Sequence, residues 1–139
     1  LTQRGSVAVE RVRIGDLVMS QHPETGEVAL QPVLRTTIRE PLHLIRITLG
    51  DETLRASGGH PFWVSGQGWL RARELKPGMH LHGLAQVTKI TEVQVEEKAT
   101  RTFNLVVANY HTFFVGPGRT LSHDNSLVEA VSTKVPGLK

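Results

Sequence analysis

The pattern of apolar and polar positions along this chain is that of β structure nearly throughout. Short segments rich in Val, Ile, Leu, Thr and Phe fall at residues 6–9, 17–20, 28–35, 42–49, 53–56, 87–95, 102–107 and 112–115. Turn-forming clusters separate them: Pro23-Glu24-Thr25-Gly26, Gly50-Asp51, Ser65-Gly66-Gln67-Gly68 and Gly116-Pro117-Gly118. Gly, Pro, Asp and Ser each ease a chain reversal, so the pattern predicts strands joined by tight turns. Helix is expected for a single turn at residues 9–12 and 72–75, and the tail at 127–139 reads as a short helix or a linker. Many short strands and almost no helix predict an all-β barrel or sandwich-like body.

Part of this pattern occurs twice. Glu10-Arg11-Val12-Arg13-Ile14-Gly15-Asp16-Leu17-Val18 is echoed by Arg73-Glu74-Leu75-Lys76-Pro77-Gly78-Met79-His80-Leu81, 63 residues later (78 − 15). His60-Pro61-Phe62-Trp63-Val64 and a Gly-rich turn are echoed by His111-Thr112-Phe113-Phe114-Val115, 51 residues later (111 − 60). Two echoes in the same order predict an internal duplication with unequal loops, and hence a pseudo-two-fold body. Two copies at so long a period do not make a solenoid.

Composition narrows the function. At 139 residues the chain fits one domain able to bury its own core. It is 39% hydrophobic and 21% charged, ordinary for a globular protein. With no Cys, the chain as given has no disulfide, thiolate metal site or thiol nucleophile. No apolar run approaches the roughly 20 residues a membrane helix needs. The net charge is only +3, and its basic residues are scattered without interleaved aromatics, which argues against a nucleic-acid surface. A first residue other than Met is expected of a fragment or a processed product.

Four blocks then match a known family in order. They are residues 9–18; Ser57-Gly58-Gly59-His60-Pro61-Phe62-Trp63-Val64 continuing to Gly68-Trp69 and Leu75-Lys76-Pro77-Gly78; Thr102-Phe103-Asn104-Leu105 through Tyr110-His111 to Gly116; and Leu121-Ser122-His123-Asp124-Asn125. Together they resemble the Hint domains of hedgehog proteins and inteins, with the bacterial intein-like and polymorphic-toxin types nearest. The resemblance spans about residues 1–125, leaves no room for an endonuclease insert, and implies an all-β, horseshoe-shaped, pseudo-two-fold fold. Residues 126–139 are then a linker or the start of a downstream region.

The chemistry implied is self-cleavage of flanking peptide bonds. In the family an N-terminal Cys, sometimes Ser, attacks the preceding carbonyl and converts an amide into a labile ester or thioester. By the family's register that nucleophile lies roughly eight residues upstream of Leu1, so the first acyl shift is expected to be impossible in the chain as given. His60 would protonate the departing amide nitrogen or strain the scissile bond, a task suited to an imidazole. Ser57, where the family prefers Thr, would bind the developing oxyanion. His111 resembles the second histidine, which assists C-terminal cleavage. Asn104 stands where many splicing inteins have Asp, which argues against efficient splicing more than against cleavage. At the C-terminal end two registers remain open. One pairs His123 with Asp124 as the cyclising residue, and the other makes Asn125 terminal with Ser126 downstream. His123 is the preferred anchor, because Leu121-Ser122-His123 matches the family's closing strand.

The substrate is therefore expected in cis, as flanking domains of the same polypeptide, with no cofactor, metal, nucleic acid or membrane implied. The chain is expected to be a monomer, part of a bacterial secreted or cell-surface protein, and a self-processing module more than a turnover enzyme. His80-x-His82 is expected on a solvated strand, and Trp63 and Trp69 in packing. Two rival readings stay open. A degenerate Hint scaffold is motivated by Asn104 and the His-Asp-Asn ending. A plain β-barrel binding module predicts no two-fold relation and no gathering of His60, His111 and His123.

Overall fold

The computed structural model describes residues 1, 2, 5, 7–41, 43–97 and 101–125. The expected linker at 126–139 lies outside the described residues, as do Ser6 and Leu42 within two of the expected strands. The described chain is built from twelve strands and two 3-10 turns. The strands are β1 (Leu17–Gln21), β2 (Val28–Arg39), β3 (Leu44–Leu49), β4 (Glu52–Ser57), β5 (Pro61–Val64), β6 (Gly68–Arg71), β7 (His80–Leu81), β8 (Thr88–Lys89), β9 (Glu92–Glu96), β10 (Thr102–Val107), β11 (Thr112–Val115) and β12 (Thr120–His123). The turns are Val9–Arg11 and Ala72–Glu74, where single helical turns were expected.

Three antiparallel sheets result. One runs β1-β2-β10, a second β4-β3-β9, and the third β11-β12-β5-β7-β8 with β6 also paired to β5. The long strand β2 serves two partners, pairing β1 through Val28–Pro32 and β10 through its second half, with a register irregularity at Val106/Val107.

The duplication is visible in the hydrogen bonds. Gly15 and Gly78 each follow a 3-10 turn and hold φ of +91° and +94°, a region open to glycine but costly for other residues. Gly15 N–H donates to the Val33 carbonyl, and Val33 N–H to that of Asp16. Gly78 N–H donates to the Ile90 carbonyl, and Ile90 N–H to that of Met79. The two copies then exchange partners. Thr36 of β2 pairs with Leu105 of β10, whereas Val93 of β9 pairs with Ile47 of β3. Each half thus completes the sheet of the other, which fixes the halves as one body.

The core follows the same symmetry. Phe62 and Val64 of β5 enter a cluster with Ile47, Leu81 and Ile90, and Phe113 of β11 enters one with Val33, Leu105 and Val107. The alternate residues Trp63 and Phe114 meet Leu121 in a third cluster between them. Every residue of β5 and β12 is buried. These strands therefore carry no polar alternation, and pattern reading alone did not delimit them.

Two expected strands are corrected. The valines at 6–9 do not form a ladder: Val9 opens a 3-10 turn, and Val7, Val9 and Val12 pack on the second cluster. The 87–95 run divides into β8 and β9, because Ile90 is drawn inward to bond Gly78 and Met79 and is fully buried.

Candidate active site

His60 ends a tight loop between β4 and β5, and backbone bonds hold that loop from two sides. Its N–H donates to the Ser57 carbonyl at 3.1 Å, closing the turn. Its carbonyl accepts from Ala72 N–H at 2.9 Å, and the Gly58 carbonyl from Arg73 N–H at 3.0 Å. The loop is thereby stitched to the Ala72–Glu74 turn, itself capped where Arg71 N–H donates to the Glu74 carboxylate.

The His60 ring lies 5.0 Å from the Phe62 ring and 6.3 Å from that of Phe113. Burial, together with the nearby His123, lowers its pKa to about 4, so it is neutral at neutral pH. Asn104 on β10 reinforces this. Its Oδ1 accepts the Leu105 N–H at 2.8 Å, which fixes the amide orientation and turns Nδ2 toward His60 Nδ1 at 3.5 Å. An amide N–H can only donate, so Nδ1 is the acceptor and the ring hydrogen sits on Nε2.

The second centre is Asp124, whose side chain is fully buried. Its Oδ2 accepts the Val107 N–H at 2.6 Å and faces His111 Nδ1 at 3.2 Å. His123 Nδ1 lies 3.0 Å from the Asp124 main-chain carbonyl and 3.6 Å from its Oδ1. A carbonyl can only accept, so His123 carries its hydrogen on Nδ1 and polarises that C=O. The backbone on either side of the Asp124–Asn125 bond is held by main-chain hydrogen bonds: Asp124 N–H donates to the His111 carbonyl, and Asn125 N–H to that of Leu105. Asn125 turns its side chain to β2, where Arg39 and Thr37 lie at 3.4 and 3.5 Å.

A cleft of about 1330 Å³ joins these groups, lined among others by Ser57, His60, Asn104, Asp124 and Asn125. His111 and His123 reach it through Asp124. All seven residues singled out from the sequence thus lie in or directly against one site. Supporting residues were not foreseen. Trp69 stands edge-on to His123 at 5.0 Å. Thr112 Oγ1 donates to the Gln21 carbonyl and accepts from Gln21 N–H and Ser20 Oγ, all in the core. That network pins the start of β11 beside His111, which holds a φ of +57°, an unfavourable conformation for a side-chain-bearing residue. A polar Ser-Gln pair within a strand gives no sequence signal of such a role. His80 and His82 do not lie together on a solvated strand as expected: β7 ends at Leu81, His80 is exposed, and His82 is buried against Gln21.

A family model described as the pretoxin Hint domain matches residues 1–128. Among solved structures, a bacterial intein-like domain from Clostridium thermocellum is 36% identical with a TM-score of 0.83, over 88% of this chain and 91% of that one. The gp41-1 intein is 22% identical with a TM-score of 0.72, over 88% and 90%. A DnaB intein from Synechocystis is 16% identical with a TM-score of 0.72, over 86% and 87%. These last two show likeness of fold alone. No curated protein matches the chain.

Proposed function

This chain belongs to the pretoxin Hint family, and from that premise we propose that it is a self-cleaving module that severs peptide bonds of its own polypeptide to release a neighbouring domain. The observation that carries the proposal is the enclosure of Asp124 between His111 and His123, in the same cleft as His60 and Asn104. A fold kept only as a spacer has no need of a fully buried carboxylate flanked by two histidines, because burying such a charge is costly unless it is paired.

At the N-terminal junction the nucleophile is supplied from residues preceding Leu1. His60, neutral at rest, first accepts a proton and then passes it to the departing amide nitrogen. A ring with a pKa of about 4 becomes a strong acid once protonated, which suits donation to a poorly basic amide nitrogen. Ser57 offers its hydroxyl to the oxyanion. Asn104 cannot exchange protons with His60 as a carboxylate would, which favours cleavage over splicing. Residues 1–125, with the upstream nucleophile segment, make up the processing unit, and 126–139 are a linker or the start of a downstream region.

The test is the polypeptide extended through its native upstream and downstream residues, followed by intact mass with and without added thiol. Fragments broken just before the upstream nucleophile, or next to Asp124 or Asn125, support self-cleavage. A single uncut mass under all conditions and over a wide pH range overturns it in favour of a non-catalytic scaffold.

A further inference from the structure

Resting on the self-cleavage reading, we infer that Arg71 and Arg73 form a subsite for an acidic side chain in the flank that precedes the upstream scissile bond. Five arginines line the cleft, and they are not equivalent. Arg101 pairs with Glu40 at 3.5 Å, Arg55 with Glu96 at 3.0 Å, and Arg39 meets the Asn125 side-chain oxygen at 3.4 Å. For Arg71 and Arg73, no carboxylate among the described residues stands within ion-pairing distance of the guanidinium. Glu74, their neighbour in the chain, caps the 3-10 turn by accepting the Arg71 N–H.

The local fold places both side chains beside His60. Ala72 between them is fully buried, so its two neighbours turn outward, and both are exposed. Arg71 pairs with Pro61, the residue after His60, and residues paired directly across strands share a face of the sheet. Arg73 lies along the loop that ends in His60. A Cβ on Gly58 would stand 3.6 Å from Arg73 Cβ, and one on Gly59 would stand 3.9 Å from Arg73 Nη1. The unpaired positive charge of the cleft thus gathers at the loop that delivers the proton donor. The amide nitrogen that His60 protonates must reach its ring, which brings the residues just upstream past this loop. Extended chain advances about 3.3–3.6 Å per residue, so roughly the last four residues of that flank fall within reach. A carboxylate there accepts charge-assisted hydrogen bonds from the guanidinium forks, which a basic side chain cannot do.

The test uses the polypeptide extended through its native upstream and downstream residues, with about four residues before the upstream nucleophile made Glu-rich, Gln-rich or Lys-rich. Upstream cleavage is followed by intact mass at low salt and at about 1 M salt, where the screening length falls to about 3 Å. At low salt the Glu flank should cleave about 3–10-fold faster than the Lys flank, the size expected of exposed charge pairs. The Gln flank should fall between them, and salt should close the gap. Arg71→Glu with Arg73→Glu should reverse the order, making the Lys flank the faster. Arg71→Gln with Arg73→Gln should erase the order, which keeps the test decisive if the reversal impairs folding. Equal rates for the three flanks, a faster Lys flank in the parent, or an order unchanged in both double variants each overturns this inference alone. No upstream cleavage with any flank, the native one included, overturns the self-cleavage reading at that junction as well.

Discussion

His60 and His111 stand at the same place in the two copies of the fold, each opening a buried strand, and they face opposite chemistry. His60 opens β5, lies against two phenylalanine rings, and is met at Nδ1 by the donating amide of Asn104. His111 opens β11, has a side chain 45% exposed, and is met at Nδ1 by the accepting carboxylate of Asp124. One ring is thereby an acceptor at Nδ1 and the other a donor, although the backbone that delivers them is repeated. Duplication supplied two equivalent positions, and the residue facing each one decides its proton chemistry. The lesson reaches beyond the histidines. The shared frame is carried by strand order and glycine turns, while the differences lie in single side chains from neighbouring strands, Asn104 from β10 and Asp124 from just past the end of β12.

What the copies share breaks at the layer between them. Trp63 is fully buried and meets Phe114 in the third cluster. Trp63→Ala is expected to cost about 3–5 kcal/mol, read as a lower denaturation midpoint at unchanged slope. The next effect isolates His60. Its folded pKa is below the unfolded value of 6.5, so the unfolded state binds more protons between the two. Stability is therefore unaffected by this group above pH 6.5 and falls as the pH drops toward 4, by on the order of 3 kcal/mol in all. Denaturant melts of His60→Gln against the parent should show that slope removed from the variant. A slope that persists would mean His60 is not the titrating group.

Asn104→Asp sharpens the contrast from the other side, by giving His60 the kind of partner His111 already has. A carboxylate at that position should raise the His60 pKa by about 1–3 units, followed by the ring proton shifts in an NMR titration. No change would mean the 3.5 Å contact with Asn104 does not govern the ring. The smallest expected effect tests the frame itself. A Cβ at Gly15 or Gly78 would meet open space, so only the positive φ penalises it. Gly15→Ala and Gly78→Ala should each cost about 1–2 kcal/mol, and by equal amounts within error. Unequal costs would show that the two turns are not equivalent.

Much of this was legible in the sequence, for reasons that can be located. Gly15 and Gly78 gave the duplication away because a positive φ admits few other residues, so the turn leaves a fixed letter. The residues that gather at the cleft were legible through His60, Asn104, His111 and His123, because the family resemblance singles them out by type and order. The strands β5 and β12 were not delimited by pattern, because residues buried on both faces have no alternation to read. The run at 6–9 misled because valines serve a packed turn as well as a strand. The choice between Asp124 and Asn125 stayed open in the sequence because it depends on where the chain points two adjacent side chains. Strand pairing sends the first toward the histidines and the second toward Arg39.

The most direct measurement is intact mass of the extended polypeptide carrying either His60→Ala or His111→Ala, with both junctions followed over time. If the two histidines serve separate junctions, His60→Ala should slow the upstream break by about 10²–10⁴-fold and leave the break at the C-terminal end in place, with the reverse for His111→Ala. Equal loss at both junctions in each variant, or no loss in either, would contradict the division of labour between them.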